Sequence, residues 1–164
     1  MKNRKNLLIA FIVFAVIGWA LAYVSLLAHL DGGSGLGEFC SINDTFDCDV
    51  VNQSSYSEFL GIPVAALGML AYAFFFVAPI ILLVLARLKP STDKGSMKKR
   101  QSAQKLLIDL MAFGAVIGLA FSLYLTSIEA FVLHTWCLYC IGSQLTILVI
   151  TGLAFRLRSI TRVI

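Results

Sequence analysis

Apolar residues in this chain fall in long unbroken runs, not in the stripes of an amphipathic helix or the alternation of a half-buried strand. Leu7 to Leu30 is 24 residues without a formal charge, Pro63 to Ala86 is another 24, and Leu110 to Ile128 gives 19 more. Ile141 to Phe155 is shorter, at 15, and reaches 19 when Cys137 to Cys140 are included. A helix that crosses the hydrocarbon layer needs about 20 mostly apolar residues. The pattern therefore predicts four transmembrane helices, at about 7–30, 63–86, 106–133 and 137–155, with an outer loop 31–62 and a cytoplasmic loop 87–105. The first run is longer than the core of a signal peptide, which has about 7–15 apolar residues, and it ends in Leu-Ala-His-Leu-Asp, a poor cleavage site. It is expected to stay in the mature chain. The fold class expected is an all-α integral membrane protein, one domain over 1–164.

Composition agrees with the pattern, since 59% of residues are hydrophobic and 13% charged, far from the balance of a soluble domain. Charge adds the orientation. All 13 Lys and Arg lie in three places: Lys2, Arg4 and Lys5; Arg87 to Lys105; and Arg156, Arg158 and Arg162. The segment from Asp31 to Gly61 has none and carries Asp31, Glu38, Asp44, Asp47, Asp49 and Glu58. Under the positive-inside rule both termini and the 87–105 loop face the cytoplasm, and the two remaining connections face outward. The net charge of +4 thus reports topology, and no nucleic-acid partner is expected.

Smaller features fill in the connections. Gly32 to Gly37 reads as a flexible lead-in, and the stretch after Cys48 as a short amphipathic helix on the membrane surface. Pro63 suits the first turn of span two, and Pro79 is expected to kink that span. The 87–105 loop, with Pro90, Ser91 and Gly95, reads as a solvated connector. Lys105 and Asp109 are expected to anchor the cytoplasmic edge of span three. Trp19, Tyr124, Trp136 and Tyr139 suit either a pocket or the aromatic belt, with Trp136 assigned to the belt.

The candidate chemistry lies in four cysteines: Cys40, Cys48, Cys137 and Cys140. The topology puts all four on the outer side, where disulfides form and persist. Four cysteines allow three pairings, and spacing favours Cys137 with Cys140 and Cys40 with Cys48. The Cys-x-x-Cys pair opens span four, where a helix N-terminus favours a thiolate. Cys40 and Cys48 lie in an acidic loop that can open and close a second disulfide. One mobile pair and one pair at a membrane helix end is the arrangement a thiol relay needs. Two structural staples, or a four-cysteine zinc site, remain alternatives. Zinc suits the spacing less well, because structural sites usually bring two tightly spaced pairs.

The residues then take on a family character. Cys40-x7-Cys48, Leu-Gly-Ile-Pro-Val-Ala-Ala-Leu-Gly from Leu60 to Gly68, Tyr124-Leu-Thr-x-x-Glu129 and Trp136-Cys-Leu-Tyr-Cys140 together resemble the vitamin K epoxide reductase family, in its bacterial-type members, over roughly Leu7 to Phe155. The resemblance implies a four-helix bundle around a quinone pocket, capped by the outer loop and its short helix. It implies a quinone, ubiquinone or menaquinone, as electron-accepting substrate. It also implies, as partner, a thioredoxin-fold (DsbA-like) oxidase, whose reoxidation supports disulfide formation. Cys137 and Cys140 match the active-site pair, with Cys140 the thiol that attacks the quinone. Cys40 and Cys48 match the shuttle pair, Cys40 taking electrons from the partner and Cys48 handing them to Cys137. Ser54 matches a Ser or Thr near the family's active site. Gln144 stands where animal members carry a tyrosine important for vitamin K, which sets epoxide reduction apart as an alternative. The sequence ends shortly after span four, so the partner is expected to be a separate protein.

Other residues weigh less. Glu129, near the outer end of span three, is expected to support the turn holding His134 to Cys140, and His134 is a candidate proton donor that reads better as a bystander. No metal is expected. A DsbB-type enzyme would carry its Cys-x-x-Cys in the first outer loop and the wider pair in the second, the reverse of the order here. A stapled, non-enzymatic scaffold would hold its cysteines permanently oxidised. The location expected is a bacterial inner or cell membrane, in contact with its lipids, with the cysteines outside. A reporter active only in the cytoplasm should work when fused near Gly95 and stay silent near Ser34; the reverse pattern overturns the orientation.

Overall fold

A computed structural model describes residues 2–31, 40–43, 45–88 and 93–162. The glycine-rich lead-in at 32–37, Glu38, Asp44, Pro90 and Ser91 lie outside the described residues. Four long helices carry the fold: α1 (Lys2–Leu30), α3 (Val64–Arg87), α4 (Lys94–Ile128, continued by a π-helical turn Glu129–Leu133) and α5 (Leu138–Arg162). Between α1 and α3 lie a five-residue helix α2 (Cys48–Asn52), a 3₁₀ turn Ser55–Ser57, and a hairpin of β1 (Glu58–Phe59) and β2 (Ile62–Pro63). All four long helices are long and apolar enough to cross a membrane. The protein is an all-α, four-helix integral membrane bundle.

The helices reach past the charge-free runs that announce them. The most marked case is α4, which starts at Lys94, well inside the segment expected to be a solvated connector. The cause is local. Asp93 caps the helix by accepting the Ser96 N–H at 2.8 Å, and the residues that follow are largely Lys, Arg, Gln, Met and Ala, which favour helix. The stretch after Cys48 also differs from the single amphipathic helix expected. Its helix stops at Asn52, and the chain then turns back in the hairpin, where Glu58 pairs with Pro63 and Phe59 with Ile62. Leu60 and Gly61 take φ of 56° and 77° at its tip, the left-handed pair that a two-residue hairpin turn requires. Pro63 caps α3, and Pro79 lies inside it.

In the bundle α1 packs on α3 and α5, and α5 also packs on α4, while α3 and α4 meet more sparsely. The buried seam includes Phe11, Ala15, Phe75, Leu82, Met111, Ala115 and Ile150. Outside it the helices show large apolar side chains, such as Leu70 at 70% and Phe113 at 67% exposure. In water such a surface would aggregate; against acyl chains it is in its proper solvent. Helix association in lipid depends on close packing and interhelical hydrogen bonds, since apolar burial drives little there. Both occur here. The Thr151 hydroxyl of α5 donates to the Ala115 carbonyl of α4 at 3.2 Å, and Arg158 pairs with Asp109 at 2.7 Å.

Gly18 shows how tight the packing is. The Tyr72 ring of α3 lies across α1 where Gly18 has no side chain, and its hydroxyl reaches the carbonyl and hydroxyl oxygens of Ser143 on α5, at 2.9 Å each. A Cβ on Gly18 would overlap that ring. Gly18→Ala should therefore cost about 1–3 kcal/mol through overpacking, read as a lower thermal midpoint in detergent. Tyr72→Phe should cost less, because it removes the hydroxyl and keeps the ring.

Candidate redox site

The redox site forms where the segment between α1 and α3 lies against the start of α5. Backbone bonds join the two: Trp136 N–H donates to the Thr45 carbonyl at 2.8 Å, and Asp47 N–H to the Trp136 carbonyl at 3.1 Å. Phe46 and Trp136 thereby form a parallel bridge. The strap places residues 45–47 beside Trp136, one step before Cys137. One residue after the strap α2 begins, and its first residue is Cys48.

Asp47 fixes that start. Its side chain caps α2, accepting the Asp49 N–H at 2.9 Å and the Val50 N–H at 3.2 Å. It also accepts the Ser41 hydroxyl at 2.8 Å, so it ties the residue next to Cys40 to the residue before Cys48. Burial pushes the Asp47 carboxyl upward, but the Ser41, Val50 and Asp49 hydrogen bonds outweigh it and hold the group below its ordinary value.

The sulfurs meet under this strap. Cys40 and Cys48 form a disulfide, with Cα atoms 5.4 Å apart. Cys137 and Cys140 are free thiols. The sulfurs of Cys40, Cys48 and Cys137 all lie within 4.8 Å of one another, and these three residues are 1%, 0% and 0% exposed. With two of the three joined to each other, the trio does not offer the set of thiolates that a metal needs. Cys140 faces elsewhere. It lines a cavity of about 460 Å³ between the helices, and its N–H points back to the Cys137 sulfur at 3.3 Å.

Glu129 lies behind the pair. It is 3% exposed, and its carboxylate accepts the Cys137 N–H at 3.3 Å and is hydrogen-bonded to the Cys140 side chain. Its carbonyl accepts the Thr135 N–H at 3.3 Å. The π-turn that carries it ends at His134, which takes a left-handed φ of 53°.

The other expected site residues separate into two groups. Ser54, Glu129 and Tyr139 line the cavity with Cys140. Ser54 also donates to the Val51 carbonyl at 2.8 Å. His134 lies on the exposed turn outside the cavity. Gln144 does not line the cavity either; its carbonyl oxygen accepts from the hydroxyls of Ser122, at 3.2 Å, and Thr126. Trp19 stacks on Tyr23 on the outer surface of α1.

Two cavity residues carry no sequence motif. His29, at the end of α1, contacts the Asn52 carbonyl at 2.6 Å through Nδ1, and its Nε2 lies 3.6 Å from Glu58. Asn52 lies on α2, four residues after Cys48. That spacing puts the two on one face of a helix, a signal the sequence contains.

A helical membrane bundle with one disulfide, a free thiol beside it and a second free thiol on a cavity wall defines a membrane thiol–disulfide oxidoreductase. The match to the vitamin K epoxide reductase family model runs over residues 9–155, and the chain belongs to that quinone-linked family. No curated protein matches the chain.

The Asp47 cap gives this site a pH dependence. A carboxyl held below its ordinary value stabilises the folded segment above the ordinary carboxylate range, and that contribution is lost as pH falls through the folded value. Reduction of the Cys40–Cys48 disulfide by a phosphine should therefore speed up as pH falls below about 4. In Asp47→Asn, whose amide still caps, the acid-triggered rise should be absent.

Proposed function

We propose that this protein reoxidises a separate thioredoxin-fold (DsbA-like) protein on the outer face of a bacterial membrane and passes its electrons to a quinone. The relay runs from the partner's dithiol to Cys40 and Cys48, then to Cys137 and Cys140, then to ubiquinone or menaquinone. The observation that carries this reading is the placement of the sulfurs: Cys48 and Cys40 within 4.8 Å of Cys137, and Cys140 on the cavity wall.

Each step follows from that arrangement. In the observed state the outer pair is oxidised and the inner pair reduced, so two electrons wait at Cys137 and Cys140. Closing the inner disulfide releases two electrons and two protons, which convert the quinone to its hydroquinone. The partner's dithiol then reduces the Cys40–Cys48 disulfide through a mixed disulfide at Cys40 and leaves as a disulfide itself, and the freed Cys48 thiolate attacks Cys137 across the short gap. Its resolution by Cys40 restores the outer disulfide and the inner dithiol. Glu129 supports the turn by holding the Cys137 N–H, and Ser54 borders the quinone beside Cys140. Gln144 reaches the cavity through Ser122 and Thr126, whose hydroxyls it accepts and which line the cavity. His134, on its exposed turn, stays outside the chemistry.

Access to the partner requires movement. Cys40 is 1% exposed, so a docking protein has to lift the strap off Trp136, at the cost of its two backbone hydrogen bonds. A stapled scaffold would also bury its outer disulfide. It has no use for a free thiol against that disulfide and a second one on a cavity wall, and the relay does.

Trapping tests the path. Cys140→Ser should abolish quinone reduction. In a Cys40→Ser, Cys140→Ser double variant no neighbouring thiol remains to resolve the exchange, so a Cys48–Cys137 disulfide should accumulate and be seen by mass spectrometry. Cys40→Ser alone should still reduce quinone slowly with a small dithiol and fail with the protein partner. Free Cys48 and Cys137 in the oxidised double variant would sink the shuttle.

A further inference from the structure

Asn52 sits on the cavity wall with part of its amide unused. The residue is 5% exposed, its Oδ1 accepts the Ser25 hydroxyl at 2.8 Å, and its Nδ2 is buried with no hydrogen-bond partner among the described residues. Its position is fixed from both sides. The Asn52 carbonyl accepts His29 Nδ1 at 2.6 Å, and the Gln53 side chain holds the Ala28 and His29 carbonyls at 3.2 and 3.1 Å. A buried amide donor left without a partner is costly, and native structures seldom leave one so.

The surroundings restrict what fits that donor. Around it the cavity wall is largely apolar, with Leu21, Ala22, Val51, Leu67 and Ala71 among its residues. The matching ligand is flat and apolar and carries an oxygen that only accepts. A quinone head group has two such oxygens, and Cys140 lines the same cavity.

We propose that Asn52 is the carbonyl-binding residue of the quinone site, donating its Nδ2–H to one quinone oxygen, while Ser25 is a positioning residue that keeps the amide turned that way. The inference rests on the quinone-reducing reading above. As Cys137 and Cys140 close their disulfide, the quinone gains two electrons and two protons, and negative charge develops on its carbonyl oxygen. The amide N–H stabilises that charge without giving up its own proton. The Asn52–Ser25 pair also joins α2, whose first residue is Cys48, to the wall of α1. One five-residue helix thus carries a shuttle cysteine at its start and the quinone donor at its end.

The test uses the full chain in detergent, dithiothreitol as electron donor and menadione as the quinone probe. Asn52→Leu should raise the KM for menadione about tenfold, the loss expected for one good hydrogen bond, with the KM for dithiothreitol unchanged. The infrared carbonyl stretch of bound menadione should include a band lowered by hydrogen bonding, and that band should vanish in the variant. Asn52→Asp, which keeps the shape and offers an acceptor in place of the donor, should lose quinone affinity at least as strongly. Ser25→Ala should show a smaller loss of the same kind. If Asn52→Leu fails to form the Cys40–Cys48 disulfide, the Asp and Ser25 variants carry the test. Unchanged quinone KM and an unchanged carbonyl band in a wild-type-like fold overturn the assignment, and the amide then binds water. If the wild type neither binds nor reduces menadione, the quinone reading itself fails first.

Discussion

The two hydrogen bonds between residues 45–47 and Trp136 set how Cys48 lies against Cys137. Trp136 N–H to the Thr45 carbonyl and Asp47 N–H to the Trp136 carbonyl, at 2.8 and 3.1 Å, are backbone bonds, so their register is independent of side-chain choice. Shifting that register by one residue would change which sulfurs face each other, because neighbouring side chains in an extended strand point to opposite sides. With the register as it is, Cys48 begins its helix one residue after the strap, and Cys137 follows Trp136 directly. Asp47 and Glu129 hold the two sides of this junction. One caps the helix that carries Cys48, and the other receives the Cys137 N–H.

Polar groups inside the bundle follow the economy of a lipid solvent. Away from water an unpaired donor or acceptor is expensive, and the described helices use theirs at contact points. Thr151 bonds across to Ala115, Tyr72 to Ser143, and Thr126 and Ser122 to Gln144. The seam between α3 and α4 is the exception, since those helices meet sparsely. The cavity opens there, bordered by residues of α1, α3, α4 and α5 and covered by α2 and the hairpin. Small residues let helices close elsewhere, and their sparse contact here leaves room for a ligand.

Much of this was legible in the sequence. Four charge-free runs gave the number and order of the spans, because the bilayer sets a length that few other environments demand. The cysteine spacing, with the family motifs around it, pointed to a relay, and the same motifs placed Ser54 beside the site. The helix ends were less legible. Lys94 to Lys105 read as loop from its charges, yet its residues favour helix once Asp93 caps them, and charge density says nothing against helix outside lipid. Asn52 was legible only in part, through its four-residue spacing from Cys48 on one helix face. Its significance comes from Ser25 on α1, twenty-seven residues earlier, and no local pattern records such a contact. Gln144 shows the converse: a position marked by comparison with animal relatives turns its side chain onto α4.

Burial also gives the proposed relay its order. Cys40, Cys48 and Cys137 are sealed together, while Cys140 alone of the four cysteines borders the cavity. A quinone in that cavity therefore meets a single sulfur, and in the proposed relay a reduced Cys40–Cys48 pair cannot pass electrons to it directly. Cys137 stands between, close to both shuttle sulfurs and bonded through its own sulfur to the Cys140 N–H. The proposed relay thus has one route for its electrons, through Cys137 and Cys140 in turn. The sealing has a second effect. Cys40 is 1% exposed, so in the proposed relay a docking protein reaches it only after the strap lifts. On that proposal the two hydrogen bonds of the strap to Trp136 are the gate between the partner and the shuttle pair.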